Sequence, residues 1–233
     1  MRTRMPAVLS RAIVLPLLLM AATPAFSAKT PDTWDGLLHV PSKKMGAVYL
    51  QPNADFRAYT KVMLDPVQIA FRKNWERDHD SLSATGRISN EQAQRILDEA
   101  KTGFQKLFVE AYQKAGYQVV EQNGPGVLRL ATAVVDLDVT SPDTMSAGRT
   151  WTFSKDAGSA TLVLEARDSQ TGAILGRAVD RRALDDVQPY IRNSVTNGAE
   201  FEQLFSSWAK KSATGLDELK ALSPINVDGM RAK

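Results

Sequence analysis

The chain has no cysteine and only two histidines in 233 residues. Without cysteine there is no disulfide framework, no thiolate nucleophile, no zinc–thiolate centre, and no residue to carry the acyl chains of a bacterial lipoprotein. With His39 and His79 alone, a Ser-His-Asp set must recruit one of these two, and no Gly-x-Ser-x-Gly elbow presents a serine to either. No Gly-rich phosphate loop is present, because "NGPG" runs into a strand pattern where a phosphate cradle has to open a helix. No cofactor is expected.

An excess of one charge is also missing. The chain carries 29 Lys and Arg against 26 Asp and Glu, and three of the basic residues, Arg2, Arg4 and Arg11, stand ahead of the apolar run from Ala12 to Ala22. Basic residues, an apolar run, then small residues is the order of a secretory signal peptide. The run is too short for the ~20 residues of a membrane-spanning helix. Small side chains at Ala25 and Ser27 favour a cut after Ser27, with Ala25 or Ala28 as alternative last residues, so residues 1–27 are read as leader and the processed chain has 26 basic and 26 acidic residues. Nucleic-acid and anionic-lipid adsorption both draw on a cationic excess that this balance lacks. The expected location is the periplasm, with no transmembrane segment after processing and no lipid anchor.

What remains is patterned as one domain over residues 28–225, followed by a short tail, 226–233, expected to be disordered. In "ISNEQAQRILDEAKTGFQKLFVEAYQKAG", apolar residues recur every three or four positions, Ser89 and Gln92 form a capping box, and Gly116 is a suitable stop. Phe104, Phe108 and Tyr112 on that stripe are assigned to packing. A second helix is read in "NGAEFEQLFSSWAKKSATGLDELKAL", with Asn197 at its N-cap and Gly215 as a weak point. The period falls to two in "TKVMLDPVQIAF", where Pro66 marks a bend or an edge, and in two hairpin signals. The first hairpin turns at Gly124-Pro125-Gly126, the second at Asp168-Ser169-x-Thr171-Gly172. The fold class is α+β: a mainly antiparallel sheet of about four to five strands with two amphipathic helices packed on one face.

The sequence offers residues for several chemistries. Glu76, Asp78, His79 and Asp80 offer donors for a divalent ion but read more simply as a solvated charged loop, so no metal site is assigned. A carboxylate-based hydrolase acting on an envelope glycan or polymer would use two of Asp136, Asp138, Glu165 and Asp180, held about 5–10 Å apart in a cleft. No catalytic residue is assigned. Two polar stretches, read as loops, carry aromatic and arginine side chains of the kind enriched at contact centres: Arg149, Trp151 and Phe153 in one, Tyr190 and Arg192 in the other. These are the candidate partner-binding residues, the partner being another envelope protein. A carrier of a small apolar ligand would instead need a pocket between helices and sheet, which no sequence pattern reveals.

The order of three blocks, "AVYLQPNADFRAYTKVMLDPVQIAF", "GVLRLATAVVDLDVTSPD" and "LVLEARDSQTGAILGRAVDRRA", resembles the bacterial envelope family known as domain of unknown function 3313. The pieces that carry most of it are Tyr59 to Pro66 and the Asp168 turn with Arg177 and Asp180 beyond it. Many members look like outer-membrane lipoproteins, from which this chain departs in having no lipobox cysteine. The resemblance implies an envelope protein without an assigned activity, most simply a non-enzymatic periplasmic binding or assembly module.

Overall fold

A computed structural model describes residues 30–82, 88–139, 152–192 and 194–231. The expected leader, with Ser27, lies outside these residues. The elements run β1 (Thr33–Trp34), β2 (Leu37–Val40), β3 (Ala47–Leu50), β4 (Lys61–Leu64), β5 (Gln68–Phe71), α1 (Trp75–Leu82), α2 (Asn90–Lys114), β6 (Gln118–Val119), β7 (Val127–Val139), β8 (Thr152–Asp168), β9 (Ile174–Arg192), α3 (Ser194–Leu222) and α4 (Val227–Arg231). The class is α+β as expected. The expected four to five strands are an undercount, since one sheet contains nine. Three of the extra strands are only two to four residues long (β1, β2 and β3), too short for an alternating pattern to emerge from the Pro-, Ser- and Lys-containing segments around them.

The strand order β1-β2-β3-β9-β8-β7-β4-β6 places β8 and β9 near the middle. The second hairpin forms as read, with Glu165 opposite Arg177 and Leu162 opposite Asp180. The first does not. β6 and β7 flank β4, each parallel to it, so Gly124-Pro125-Gly126 joins two strands that are not neighbours. At Gly126, with φ +68°, an added Cβ would stand 2.9 Å from the Ala58 carbonyl oxygen, so the approach of these two segments requires glycine. Its own carbonyl accepts from the amides of Thr60 and Lys61.

The long helix α2 has the capping box at Ser89 and Gln92, and the chain turns at Gly116 with φ +89°. Phe104, Phe108 and Tyr112 are buried core residues, Phe104 stacking on Phe108 at 4.1 Å and meeting Phe205 of α3 edge-on at 5.3 Å. Helix α3 begins at Ser194, ahead of the expected cap Asn197, and continues through Gly215 without a break. Packing of its apolar stripe outweighs the helix penalty of one glycine, at most about 1 kcal/mol. Residues 227–231, expected in a disordered tail, form α4 because Ile225 and Val227 are buried and the amide and carbonyl of Ile225 bond to Ala54 and Asn53.

Directly paired residues of antiparallel strands share a face. Val48, Ala178 and Leu164 therefore lie in one cross-strand row, and Leu130, Ala166 and Gly176 in the next. This face joins α2 and α3 in a single hydrophobic core.

Candidate functional site

On α3 the stripe facing the sheet changes character along its length. Phe201, Leu204, Phe205 and Trp208 are large and buried, but the next positions at helical spacing are Ser212 and Gly215. Across from them the central strands present Ala166 and Ala178. Small residues on both sides leave a cavity of about 410 Å³, floored by Leu128, Leu130 and Leu164 and walled by Leu216 and Leu219. Its size lies within the ~300–1,000 Å³ typical of small-molecule pockets. Val48 and Ala178 are only half-buried although they belong to the core-facing side of the sheet. An added Cβ at Gly215 meets nothing within 4 Å.

One wall of the cavity is the turn between β2 and β3. Ser42 Oγ accepts from the amides of Lys44 and Met45, which holds Lys43 and Lys44 at the rim. Lys44 reaches Glu218 of α3, and Gly46 donates its amide to Asp180 at 3.0 Å. Asp180 is 2% exposed. It also accepts from Trp208 Nε1 and Arg182 Nε, both at 2.9 Å, and Lys211 Nζ lies 3.8 Å away. Asp180 thus ties β9, the β2–β3 turn and α3 together at one end of the cavity.

The carboxylates weighed for hydrolysis are not assembled into a pair. Asp180 shares its face with Leu162, under α3, whereas Glu165 and Arg177 lie on the opposite face. There Glu165 accepts from Arg167 and Arg177, and Arg177 also reaches Asp35 and covers the Trp34 ring at 4.6 Å. Asp138 pairs with Arg72 at 2.9 Å. Asp136 is exposed, at φ +53°, in the bulge that interrupts the β7–β8 register. The stretch with Glu76, Asp78, His79 and Asp80 is helix α1 rather than a loop. Asp78 is held by Arg72 at 2.7 Å and Arg77 at 3.0 Å, and Asp80 accepts from the Ile88 amide. Among the described residues no three His, Asp or Glu side chains gather as a metal site would require.

Of the candidate partner-binding residues, Arg149 and Trp151 lie outside the described residues. Phe153 belongs to β8, and Tyr190 and Arg192 to β9. The two stretches read as loops are therefore in part strand. The register sets Phe153 opposite Ile191, Ser154 opposite Tyr190 and Thr152 opposite Arg192. Pairing of β8 with β7 ends at Gly158 and that of β9 with β3 at Val179, so among the described residues these ends pair only with each other. A proline at 189 and five acidic or basic side chains between 180 and 186 masked this strand in the sequence.

The Tyr59 and Asp168 segments meet in space. Tyr59 donates its hydroxyl to Asp168 Oδ2 at 3.0 Å, while Asp168 Oδ1 accepts from the amides of Gln170 and Thr171 and from the Thr171 hydroxyl. Ser169 Oγ exchanges bonds with the backbone of Gly124. The motif is a structural clasp joining the β3–β4 connection, the β6–β7 connection and the β8–β9 turn. The bonds from Thr171, Tyr59 and Gln170 hold the Asp168 carboxyl below the usual carboxylate range, against a smaller opposing effect of desolvation. A carboxyl lowered on folding stabilises the fold above its unfolded value and loses that contribution as pH falls through the lower, folded value. The stability gap between wild type and Asp168→Asn, read from urea melts, is therefore expected to be full at neutral pH and to close in acid.

The family model described as "Protein of unknown function (DUF3313)" matches residues 34–212. No match is found among curated proteins. Solved structures that resemble the chain include a Xanthomonas campestris protein of family DUF330, 12% identical over 79% of this chain and 94% of that one, with a TM-score of 0.41. A PelC dodecamer from Paraburkholderia phytofirmans is 12% identical over 69% and 94%, TM-score 0.32. A Helicobacter pylori homolog of a neuraminyllactose-binding hemagglutinin is 11% identical over 74% and 95%, TM-score 0.38.

Proposed function

From the premise that this chain belongs to the DUF3313 family of proteins of unknown function, we propose that it is a non-catalytic binding module of the bacterial periplasm, processed near Ser27. Its ligand site is the cavity between α3 and the sheet. The observation that carries this reading is the replacement of bulky residues by Ser212 and Gly215 on α3, facing Ala166 and Ala178, so that about 410 Å³ stays open against an apolar wall. The lining is mostly apolar and faces solvent, and a ligand seated there takes that surface out of water.

The paired ends of β8 and β9, which carry Phe153, Tyr190 and Arg192, supply a contact surface for an envelope protein partner, and Arg149 and Trp151, shortly before β8 in the sequence, are the further contact candidates. Among the described residues these ends have no third strand beside them, and a two-stranded ribbon gains support from a partner laid along it.

Titration with N-phenyl-1-naphthylamine, whose fluorescence rises in apolar surroundings, tests the cavity. Wild type is expected to bind the dye saturably. Gly215→Leu places a side chain in open space and removes a helix glycine, so it is expected to keep or raise the melting temperature and to lose most of the fluorescence. Equal dye binding by both proteins would contradict the cavity as the site.

A further inference from the structure

The cavity is polarised. Its floor is formed by Leu128, Leu130, Leu164 and Ala166, with no charged group among them, and its charged lining residues are Lys43, Lys44, Lys211 and Glu218. The turn carrying Lys43 and Lys44 runs along α3. At one point it is tied to Glu218 through Lys44, and two residues later to Asp180, beside Lys211, through the Gly46 amide. The three cations are thus ranged along one wall, against a single acid.

Each cation can turn to a ligand. Lys43 is exposed and has no ion-pair partner among the described residues. The Lys44–Glu218 pair is solvent-exposed, with side chains 38% and 55% accessible, and pairs of that kind are held weakly. Lys211 sits at 3.8 Å from Asp180, at the outer limit of an ion pair, while Arg182 and Trp208 make the short bonds to that carboxylate. An apolar pocket with convergent cations along one wall is complementary to a molecule that is apolar along its length and negative at one end.

Resting on the cavity being the ligand site, we propose that its ligand is a free single-chain amphiphile with an anionic head group. The chain lies over Leu130, Leu164 and Ala166, and the head is met by Lys43, Lys44 and Lys211.

The test is displacement of N-phenyl-1-naphthylamine from the full chain by decanoate, 1-decanol and decyltrimethylammonium, which share a chain and differ in head charge. Decanoate is expected to displace the dye at about tenfold lower concentration than 1-decanol, as a charge-assisted contact would give. Decyltrimethylammonium is expected to be the weakest of the three. Added salt should narrow the gap. A Lys43→Gln, Lys44→Gln double variant, whose changes fall on rim residues outside the core, should fold as wild type by thermal melt. It should close the gap while leaving 1-decanol unaffected. The inference is overturned if 1-decanol competes as well as decanoate, or if the decanoate advantage survives in the double variant; in both cases dye binding itself still supports the cavity. Binding to phosphatidylglycerol vesicles without binding decanoate would overturn the free single-chain ligand in favour of a membrane surface. A protein that takes up no dye contradicts the cavity reading and removes this inference with it.

Discussion

Gly158→Ala is expected to destabilise the fold by several kcal/mol, more than any other single methyl group added to the sheet. Gly158 lies in β8 at φ +136°, where an L side chain is strained by about 1–3 kcal/mol. A Cβ at this position would stand 1.8 Å from the Asp138 carbonyl oxygen and 3.2 Å from the Phe201 ring. The oxygen is backbone, so relief requires the β7 bulge to move away from β8, and overpacking of this kind adds about 1–3 kcal/mol more. Domains of this size lose about 2–4 °C of Tm per kcal/mol, so the variant should melt well below wild type if it folds at all. An unchanged melting temperature would mean that β7 and β8 do not approach as described.

Asp180→Ala is the second large effect, expected at about 3 kcal/mol. Trp208 is fully buried and its Nε1–H points at Asp180. Removing the acceptor leaves that donor without a partner, which costs about 1–3 kcal/mol by itself. The Gly46 amide loses its acceptor too, and Arg182 and Lys211 lose their counter-charge. Asp180→Asn keeps the volume and one accepting oxygen but sets an NH2 against either the Gly46 amide or the Trp208 and Arg182 donors, so it should cost less than Ala by the bonds that one oxygen retains. Urea unfolding of the three proteins separates the two roles considered for this residue. A structural tie lowers the midpoint in the order Asn then Ala, whereas a carboxylate placed for catalysis alone would leave both midpoints where they were.

These two positions also mark the limits of what the sequence disclosed. Helix α2 was legible because its signals are local: a capping box, a three-and-four stripe and a terminal glycine all lie within 29 residues. The β8–β9 hairpin was legible for the same reason, since Asp168 and Thr171 close their turn with bonds inside four residues. The β4–β7 and β4–β6 pairings could not be read, because parallel partners are set by a crossover through α1 and α2 and leave no turn signal. Gly158 carries no mark in a one-dimensional pattern, because its constraint comes from Asp138 across a bulge. Asp180 stands in the sequence as one of several carboxylates near a hairpin, and only the approach of Trp208 and Gly46 makes it a buried tie.

The cavity did leave a trace. On the apolar stripe of α3, a run of Phe201, Phe205 and Trp208 is succeeded by Ser212 and Gly215 with the period intact. Read alone, Gly215 was a weak point in a helix. Only the placement of Ala166 and Ala178 opposite turns the same glycine into a place where volume is missing. The candidate contact residues Phe153, Tyr190 and Arg192 were picked out by side-chain type, and the strand register is what brings the two stretches side by side.

The most direct measurement is a methyl-resolved NMR titration of the full chain with 1-decanol, following Val48, Leu130, Leu164 and Leu216. Occupation of the cavity shifts these four methyl-bearing residues together and saturably, and leaves Leu37, buried on the far side of the sheet, in place. Shifts confined to residues outside the space between α3 and the sheet, with these four unmoved at saturation, would contradict it.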